Sequence, residues 1–288
     1  MIETGTGLAI LGTAIGGKEL VVKILGPTAE YLGDELRELA VKKITNIKNI
    51  FENAEKKLGD RINHEGKVPP KVLKGILDDG AWCEEGLQTE YFGGVLASSR
   101  TGVSRDDRGA YFVSMISRLS TYQLRTHYLF YHLLKQQFNG EEINIHIETN
   151  WSALQMFVSF ETFFDSMDFT KEEEHNWYNL LTHAIWGLDK EELITGFSYG
   201  DKNHVSKNFA AAGTDGILYQ PTQMGVELFM WAYGHGHENS NGFFDKNLVF
   251  PNEHDIKIGE GISTKKAQAQ ANALQRTSET HFPPLGGF

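Results

Sequence analysis

Residues 120–138, STYQLRTHYLFYHLLKQQF, decide how the chain folds. Ser120 followed three positions later by Gln123 is a capping box, in which each side chain satisfies a backbone N–H at a helix start. Beyond it, Leu124, Tyr128, Leu129, Phe130, Tyr131, Leu133, Leu134 and Phe138 spread around most of the helix surface. A helix that is apolar over most of its surface has to be enclosed by other elements, so this one predicts the middle of a helical bundle.

Working upstream, Pro27 closes a Gly-rich opening and Thr28 is a good N-cap. Leu32, Leu36, Leu39, Ile44, Ile47, Phe51, Ala54 and Leu58 then recur every three to five positions until Gly59. That stripe predicts one long helix of about 46 Å. Shorter helices are expected around Val72, Leu73, Ile76 and Leu77; over 84–99 with Leu87, Tyr91, Val95 and Leu96 inward; and over 104–119.

Downstream the period changes. Ile143, Ile145 and Ile147 alternate with polar residues, which predicts a half-buried strand, while 151–164 is apolar and open to either helix or strand. Thr170 with Glu173 is a second capping box, opening a helix through Trp177, Leu181, Ile185 and Trp186, all read as core positions. Candidate strands at 193–199 and 216–220 flank a polar loop at 200–208, and a helix follows from Thr222 to about Tyr233. Helix, two strands about a loop, then helix is how a winged-helix module reads. The expected fold is therefore mainly α, an N-terminal helical bundle with a smaller α+β, winged-helix-like C-terminal part. Its expected segments are a Gly-rich apolar opening at 1–26, a helical domain at 27–138, the α+β domain at 139–234 and an extended arm, rich in Gly, Asn, Gln and Ala, at 235–288.

Composition bounds the function. In 288 residues the hydrophobic set is 40% and Gly adds 30 residues, so the chain can bury a core. A lone cysteine, Cys83, excludes a disulfide scaffold and a Cys-built zinc ribbon, and suits a reducing cytoplasm, the expected location. The longest apolar run, 7–17, falls short of the roughly 18 residues of a membrane span, and no basic region precedes it as in a signal peptide. This run is expected to hold a second subunit or, as the second reading, a membrane surface. Net charge is −11: residues 1–135 carry 18 Lys+Arg and 17 Asp+Glu, residues 136–288 carry 9 and 21. Such a balance opposes binding along duplex DNA, which rewards neutralising cations. Any basic face would lie in the N-terminal half, with Lys42, Lys43, Lys48 and Lys56 the candidate nucleic-acid contacts.

Two clusters could carry chemistry. His235, His237 and Glu238 form the sharpest metal-like group, since imidazoles two positions apart project the same way on an extended chain and a carboxylate follows. The ordinary reading is a polar turn after a helix. His146 and Glu148 share a predicted strand face and could join such a site only through the fold. Arg125 and His132 match the loose Arg-x(4–6)-His spacing of HEPN ribonucleases, where the cation holds the scissile phosphate and the imidazole transfers protons. Eight Arg and 11 His produce that spacing by chance about once in a chain of this length. On so apolar a helix the pair reads first as bundle residues. Phosphate loops, nucleophile elbows, H-E-x-x-H and dinucleotide fingerprints are absent, and no cofactor is expected.

The stretch 26–43, GPTAEYLGDELRELAVKK, resembles the opening of the Abi-alpha (abortive infection alpha) family, with its Gly-Pro-Thr-Ala segment followed by Leu32-Gly33. The resemblance continues in KVPPKVLKGILDDG at 67–80, LQTEYFGGVLASS at 87–99, FVSMISRLSTYQLRTHYLF at 112–130 and the Thr-x-x-Gly of Thr222 and Gly225, and covers roughly 20–235. It implies a bacterial or phage-encoded protein tied to phage resistance and carries no catalytic residue onto this chain. The resulting expectation is a non-enzymatic component of an abortive-infection (anti-phage defence) system, acting through contacts with a protein partner or its own copies. The alternatives are a winged-helix nucleic-acid binder and an RNase-type toxin using Arg125 and His132.

Overall fold

A computed structural model of the chain describes residues 34–263 apart from 104, 148, 149, 151–153, 253 and 255, with side chains from 41 to 261. The apolar opening, the Thr28 cap, Glu148 and the end of the expected arm from 264 lie outside the described residues. The architecture is mainly helical with a small antiparallel sheet. The chain divides into two compact units. One holds the described residues up to Leu124 together with Leu228–Glu238; the other holds Arg125–Glu227 and the described residues from Asn239 onward.

In the first unit the long apolar stripe becomes helix α1, Asp34–Leu58, which tightens into a 3-10 turn at Gly59–Asn63. Ile47, Ala54 and Leu58 are buried as their spacing predicts, and Ile50, outside that stripe, is fully buried beside them. Helices α2 (Pro70–Asp79), α3 (Gly86–Ser99) and α4 (Gly109–Arg118) follow. Pro70 occupies the first turn of α2, where a missing N–H leaves no hydrogen bond unmade. Glu85 and Gln88 form a capping box on α3, which is buried on every side: Leu87, Tyr91, Val95 and Leu96 are all inside, and so are Gly93, Gly94 and Ser98. Gly93 permits α1 to press on α3, since a Cβ there would stand 2.9 Å from the Ile50 carbonyl oxygen. Asn46 ties the loop after α2 to α1 by donating to the carbonyl oxygens of Ala81 (3.0 Å) and Cys83 (2.8 Å).

The second unit begins inside helix α5, Thr121–Phe138, whose start is the expected capping box: Ser120 N–H donates to Gln123 Oε1 at 2.8 Å and Gln123 N–H to Ser120 Oγ at 3.3 Å. Within the described part of the ambiguous apolar run, Met156–Ser159 is strand β1 and Phe160 opens helix α6 (Phe160–Met167). The Thr170–Glu173 capping box opens a single turn, α7 (Lys171–Glu174), and after a break at Asn176 helix α8 (Trp177–Lys190) continues. Strand β2 (Ile194–Gly200), the short helix α9 (Lys202–Val205), strand β3 (Gly216–Pro221), helix α10 (Gln223–Ala232) and strand β4 (Gly261–Ser263) complete the order.

The strands lie in the order β2-β3-β1-β4, every neighbour antiparallel, with Met156 opposite Tyr219 and Ser159 opposite Gly216. Alternation sends successive β3 side chains to opposite faces. Leu218 joins Phe157, Val205, Phe209 and Ala212 in one buried cluster. Tyr219 stacks on Phe130 of α5 at 3.8 Å between ring centroids and donates its hydroxyl to the Phe130 carbonyl oxygen at 2.8 Å. Strand β3 is thus covered on both faces, which is why Ile217, Leu218 and Tyr219 are apolar in succession.

Three expectations need correction. Residues 143–147 form an irregular turn rather than a strand. Only Ile145 is fully buried, Ile147 is 47% exposed, and the Ile145 N–H is satisfied by the Asn241 side chain at 3.0 Å rather than by a neighbouring strand. Trp186 is 57% exposed, so its helical spacing does not make it a core residue. The arm from 235 is packed through much of its described length: a 3-10 turn at Ser240–Phe244 buries Phe243 and Phe244, Phe250 and Ile256 are also buried, and β4 joins the sheet.

Candidate functional site

Arg125 and His132 sit seven residues apart on α5, on one face and about 10.5 Å apart along the axis. Arg125 donates from Nε (3.2 Å) and Nη2 (2.8 Å) to the carbonyl oxygen of Ser166 at the end of α6, satisfying one of the carbonyls a helix leaves without an internal partner. His132 is 5% exposed, with its ring 4.3 Å from that of Tyr128. Burial lowers its pKa to about 3, so the ring is neutral near pH 7. A base that weak is mismatched to proton transfer at neutral pH, where an efficient catalyst titrates near the working pH.

The Thr-x-x-Gly motif has a structural explanation. Gly225 N–H donates to Thr222 Oγ1 at 3.0 Å, and Thr222 Oγ1 donates to the Glu192 carbonyl oxygen at 2.6 Å, so Thr222 both caps α10 and pins the turn before β2. A Cβ on Gly225 would stand 1.8 Å from the Tyr131 hydroxyl. That hydroxyl donates to the Leu193 carbonyl oxygen at 2.6 Å and accepts from the Thr222 N–H at 3.1 Å. His127 Nε2 lies 3.1 Å from the Gly225 carbonyl oxygen, and its burial likewise lowers its pKa to about 3.

His235 and His237 both approach Glu238, and His237 also meets a cation. His235 Nδ1 lies 2.9 Å from Glu238 Oε1 and His237 Nε2 lies 3.8 Å from it. Arg61 Nη1 donates to His237 Nδ1 at 3.1 Å, and Arg61 Nη2 donates to the carbonyl oxygens of Gly234 (2.9 Å) and Lys57 (3.1 Å). Burial, then the nearby Arg61, lowers the His237 pKa. The guanidinium takes the Nδ1 side of His237, and among the described residues no group of three or more His, Cys, Asp or Glu could hold a metal. His146 Nε2 lies 3.3 Å from Asn239 Oδ1 and 3.2 Å from Ser240 Oγ.

Sequence reasoning missed what this cluster rests on. Lys57 and Glu90 form an ion pair with both side chains only 7% exposed, and Lys57 Nζ lies 4.8 Å from the Tyr233 ring centroid. The returning segment seats on the small residues of α3: Ser98 Oγ donates to the Trp231 carbonyl oxygen and accepts from the Gly236 N–H, each at 3.0 Å. The available signal was the run Gly93-Gly94 with Ala97-Ser98 in an otherwise apolar helix.

The basic stripe of α1 is interleaved with partners. Lys42 pairs with Glu84 at 2.5 Å and Lys48 with Glu52 at 3.5 Å, while Lys43 Nζ stands 3.3 Å from the Trp82 ring centroid and Lys56 is exposed. Acids set among the lysines diminish the field that a phosphate backbone would meet.

A further cluster of aromatic side chains lies on α8 and β2. Tyr178 and Trp186 of α8 are 52% and 57% exposed. Trp186 meets Phe197 edge to face at 5.0 Å, Tyr178 meets Tyr199 at 6.0 Å, and Phe197 and Tyr199 lie nearly parallel at 6.3 Å. Gly196 at φ +52° makes a bulge that shifts the β2–β3 register between Thr195 and Ser198, beside this aromatic face. Strand β2 is an edge of the sheet, its outer side unpaired among the described residues. Residues 170–201 carry Lys171 and Lys190 against Glu172, Glu173, Glu174, Asp189, Glu191, Glu192 and Asp201. A cleft of about 430 Å³ beside them brings Asp189, Glu192 and Glu227 together over Ile194 and Met224. Comparison with known proteins returns no matching family model, no matching curated protein and no matching solved structure.

Proposed function

We propose that this chain is a non-enzymatic component of a bacterial abortive-infection system, acting in the cytoplasm through contact with a protein partner. The carrying observation is the exposed pair Tyr178 and Trp186, set against the half-buried Phe197 and Tyr199 on β2, an open edge of the sheet among the described residues. Exposed Trp and Tyr supply much of the energy of protein interfaces, and an unpaired edge strand offers backbone hydrogen bonds to an added strand. The acids of 170–201 select the occupant: a second copy would bring like charge to like, whereas a partner segment bearing Lys or Arg beside apolar side chains complements the face. Buried, neutral His132 and carbonyl-bound Arg125 support a non-enzymatic reading over an RNase. Among the described residues no helix is long and apolar enough to cross a membrane, which fits this location.

The order α8, β2, α9, β3, α10 sets a short helix between the two strands of the winged-helix reading, and the described helix that follows the strands, QMGVELFMWA, holds Glu227 and no Lys or Arg. Such a helix offers nothing to neutralise phosphates, so the proposed partner is a protein.

The test is plaque formation by a phage panel on cells expressing each variant, with melting measured in parallel. Trp186→Ala with Phe197→Ala should abolish protection at unchanged melting, while Arg125→Lys and His132→Phe, if folded, should retain it. Protection that survives loss of both aromatics overturns the surface; protection lost in folded His132→Phe restores the RNase reading. A wild-type chain that protects against none of the panel overturns the defence role.

A further inference from the structure

A second cleft, of about 410 Å³, opens where the C-terminal half of α5 meets the segment after the 3-10 turn at Ser240–Phe244. Its volume lies within the range of small-molecule sites. One wall is apolar, with Leu248, Phe250 and the 67% exposed Val249. The polar residues of the lining are His132, Lys135, Gln136, Asn139, Lys246 and Asn252.

The charge of this cleft runs against its surroundings. Residues 136–288 carry 9 Lys+Arg and 21 Asp+Glu, yet the lining includes two lysines and no carboxylate. Asp245 is the carboxylate felt by Lys135, and its Oδ1 already accepts from the backbone N–H and side-chain amide of Asn247, both at 2.9 Å.

Lys135 is 9% exposed and held in place. Its ammonium donates to the carbonyl oxygens of Phe243 (2.8 Å) and Asp245 (2.7 Å), with the rings of Phe243 and Phe250 at 5.9 and 5.6 Å. An ammonium has three N–H groups, and carbonyls take two, so a third remains for the cleft that Lys135 lines. Lys246 is exposed and makes no ion pair among the described residues. One fixed cation, one exposed cation and the amide side chains in a lining that also holds apolar residues make a receptor for a negatively charged head on an apolar body.

We propose that this cleft binds a small organic anion, a phosphate or carboxylate head on an apolar body, with Lys135 and Lys246 holding the head and Val249 and Phe250 covering the body. The head-group chemistry is shared by nucleoside phosphates and by short-chain fatty acids, and the test separates them.

Isothermal titration of the full chain with adenosine monophosphate against adenosine, and octanoate against octanol, isolates the contribution of charge; inorganic phosphate isolates the head. At least one anion should bind with a dissociation constant below about 1 mM and exceed its neutral counterpart by about tenfold. Its binding should weaken by about tenfold in Lys246→Glu, an exposed change that leaves the fold intact, and should fall as salt is raised. Which anion wins identifies the ligand class. Failure of both anions to bind below about 1 mM overturns the proposal. So does equal binding of charged and neutral members, or a Lys246→Glu chain that binds like wild type. Inorganic phosphate binding as tightly as either organic anion overturns the role of the apolar wall. Lys135→Met, which also releases the Phe243 and Asp245 carbonyls, is read only alongside its melting curve.

Discussion

Replacing Gly94 by alanine tests how the segment Leu228–Glu238 seats on α3. In an ordinary helix interior this change stabilises by about 1 kcal/mol, because alanine loses less backbone entropy. At Gly94 the new Cβ would stand 1.7 Å from the Ala232 carbonyl oxygen, 2.1 Å from its carbon and 2.7 Å from its Cα. All three are backbone atoms, so no rotamer change relieves the overlap. Ordinary contact requires the two segments to part by about 1.5–2 Å. Such a shift breaks the paired hydrogen bonds through Ser98 Oγ, worth about 0.5–1.5 kcal/mol each. It also disturbs the Trp231–Phe112 stack, whose ring centroids are 4.7 Å apart. With overpacking strain of about 1–3 kcal/mol, and the propensity gain subtracted, the net cost is about 1–5 kcal/mol. For a protein of this size that lowers the melting temperature by about 2–20 °C. Thermal unfolding followed by circular dichroism measures it, with Gly102→Ala, where nothing lies within 4 Å of the added carbon, as the control. A Gly94→Ala chain that melts at or above wild type refutes the close approach of this segment to α3.

Two further outcomes are expected. Lys57→Met should destabilise by about 3–5 kcal/mol by leaving the Glu90 carboxylate buried without its cation, while adding Glu90→Leu should recover most of the loss; additive single and double variants would show that the pair is not coupled. His127 and His132 titrate near 3 in the folded chain against about 6.5 unfolded, so the unfolded state binds more protons between those values. Stability is therefore full above about pH 6.5 and falls as the pH drops towards 3, by up to about 1.4 kcal/mol per pH unit for each ring. Melting measured from neutral pH downward should show that slope, and His132→Phe should reduce it; an unchanged slope in that variant refutes the buried, neutral ring.

The reach of the sequence followed the range of the interactions. The capping boxes at Ser120–Gln123 and Thr170–Glu173, and strands β2 and β3, were legible because each rests on residues a few positions apart. The candidate residues Arg125 and His132 were legible as neighbours on one helix face, but their chemistry was not. Only the fold sets the Ser166 carbonyl against Arg125 and seals His132 from water. Periodicity says which side of an element is apolar and leaves open what covers it. Trp186 shares the spacing of a core residue and stands in solvent, whereas Ile145 belongs to an alternating run that has no strand to pair with. Lys57 and Glu90 lie 33 residues apart, and Arg61 and Gly234 lie 173 apart. Such pairs leave no trace in local pattern, because the free energy of burying them depends on segments that only folding brings together. By itself the sequence determined the helices, their caps and the acidic balance of the second half. Tertiary structure alone decided which cations were already paired, which histidines were neutral and which aromatics were left facing water, since each of these depends on local solvation and on partners distant in the chain.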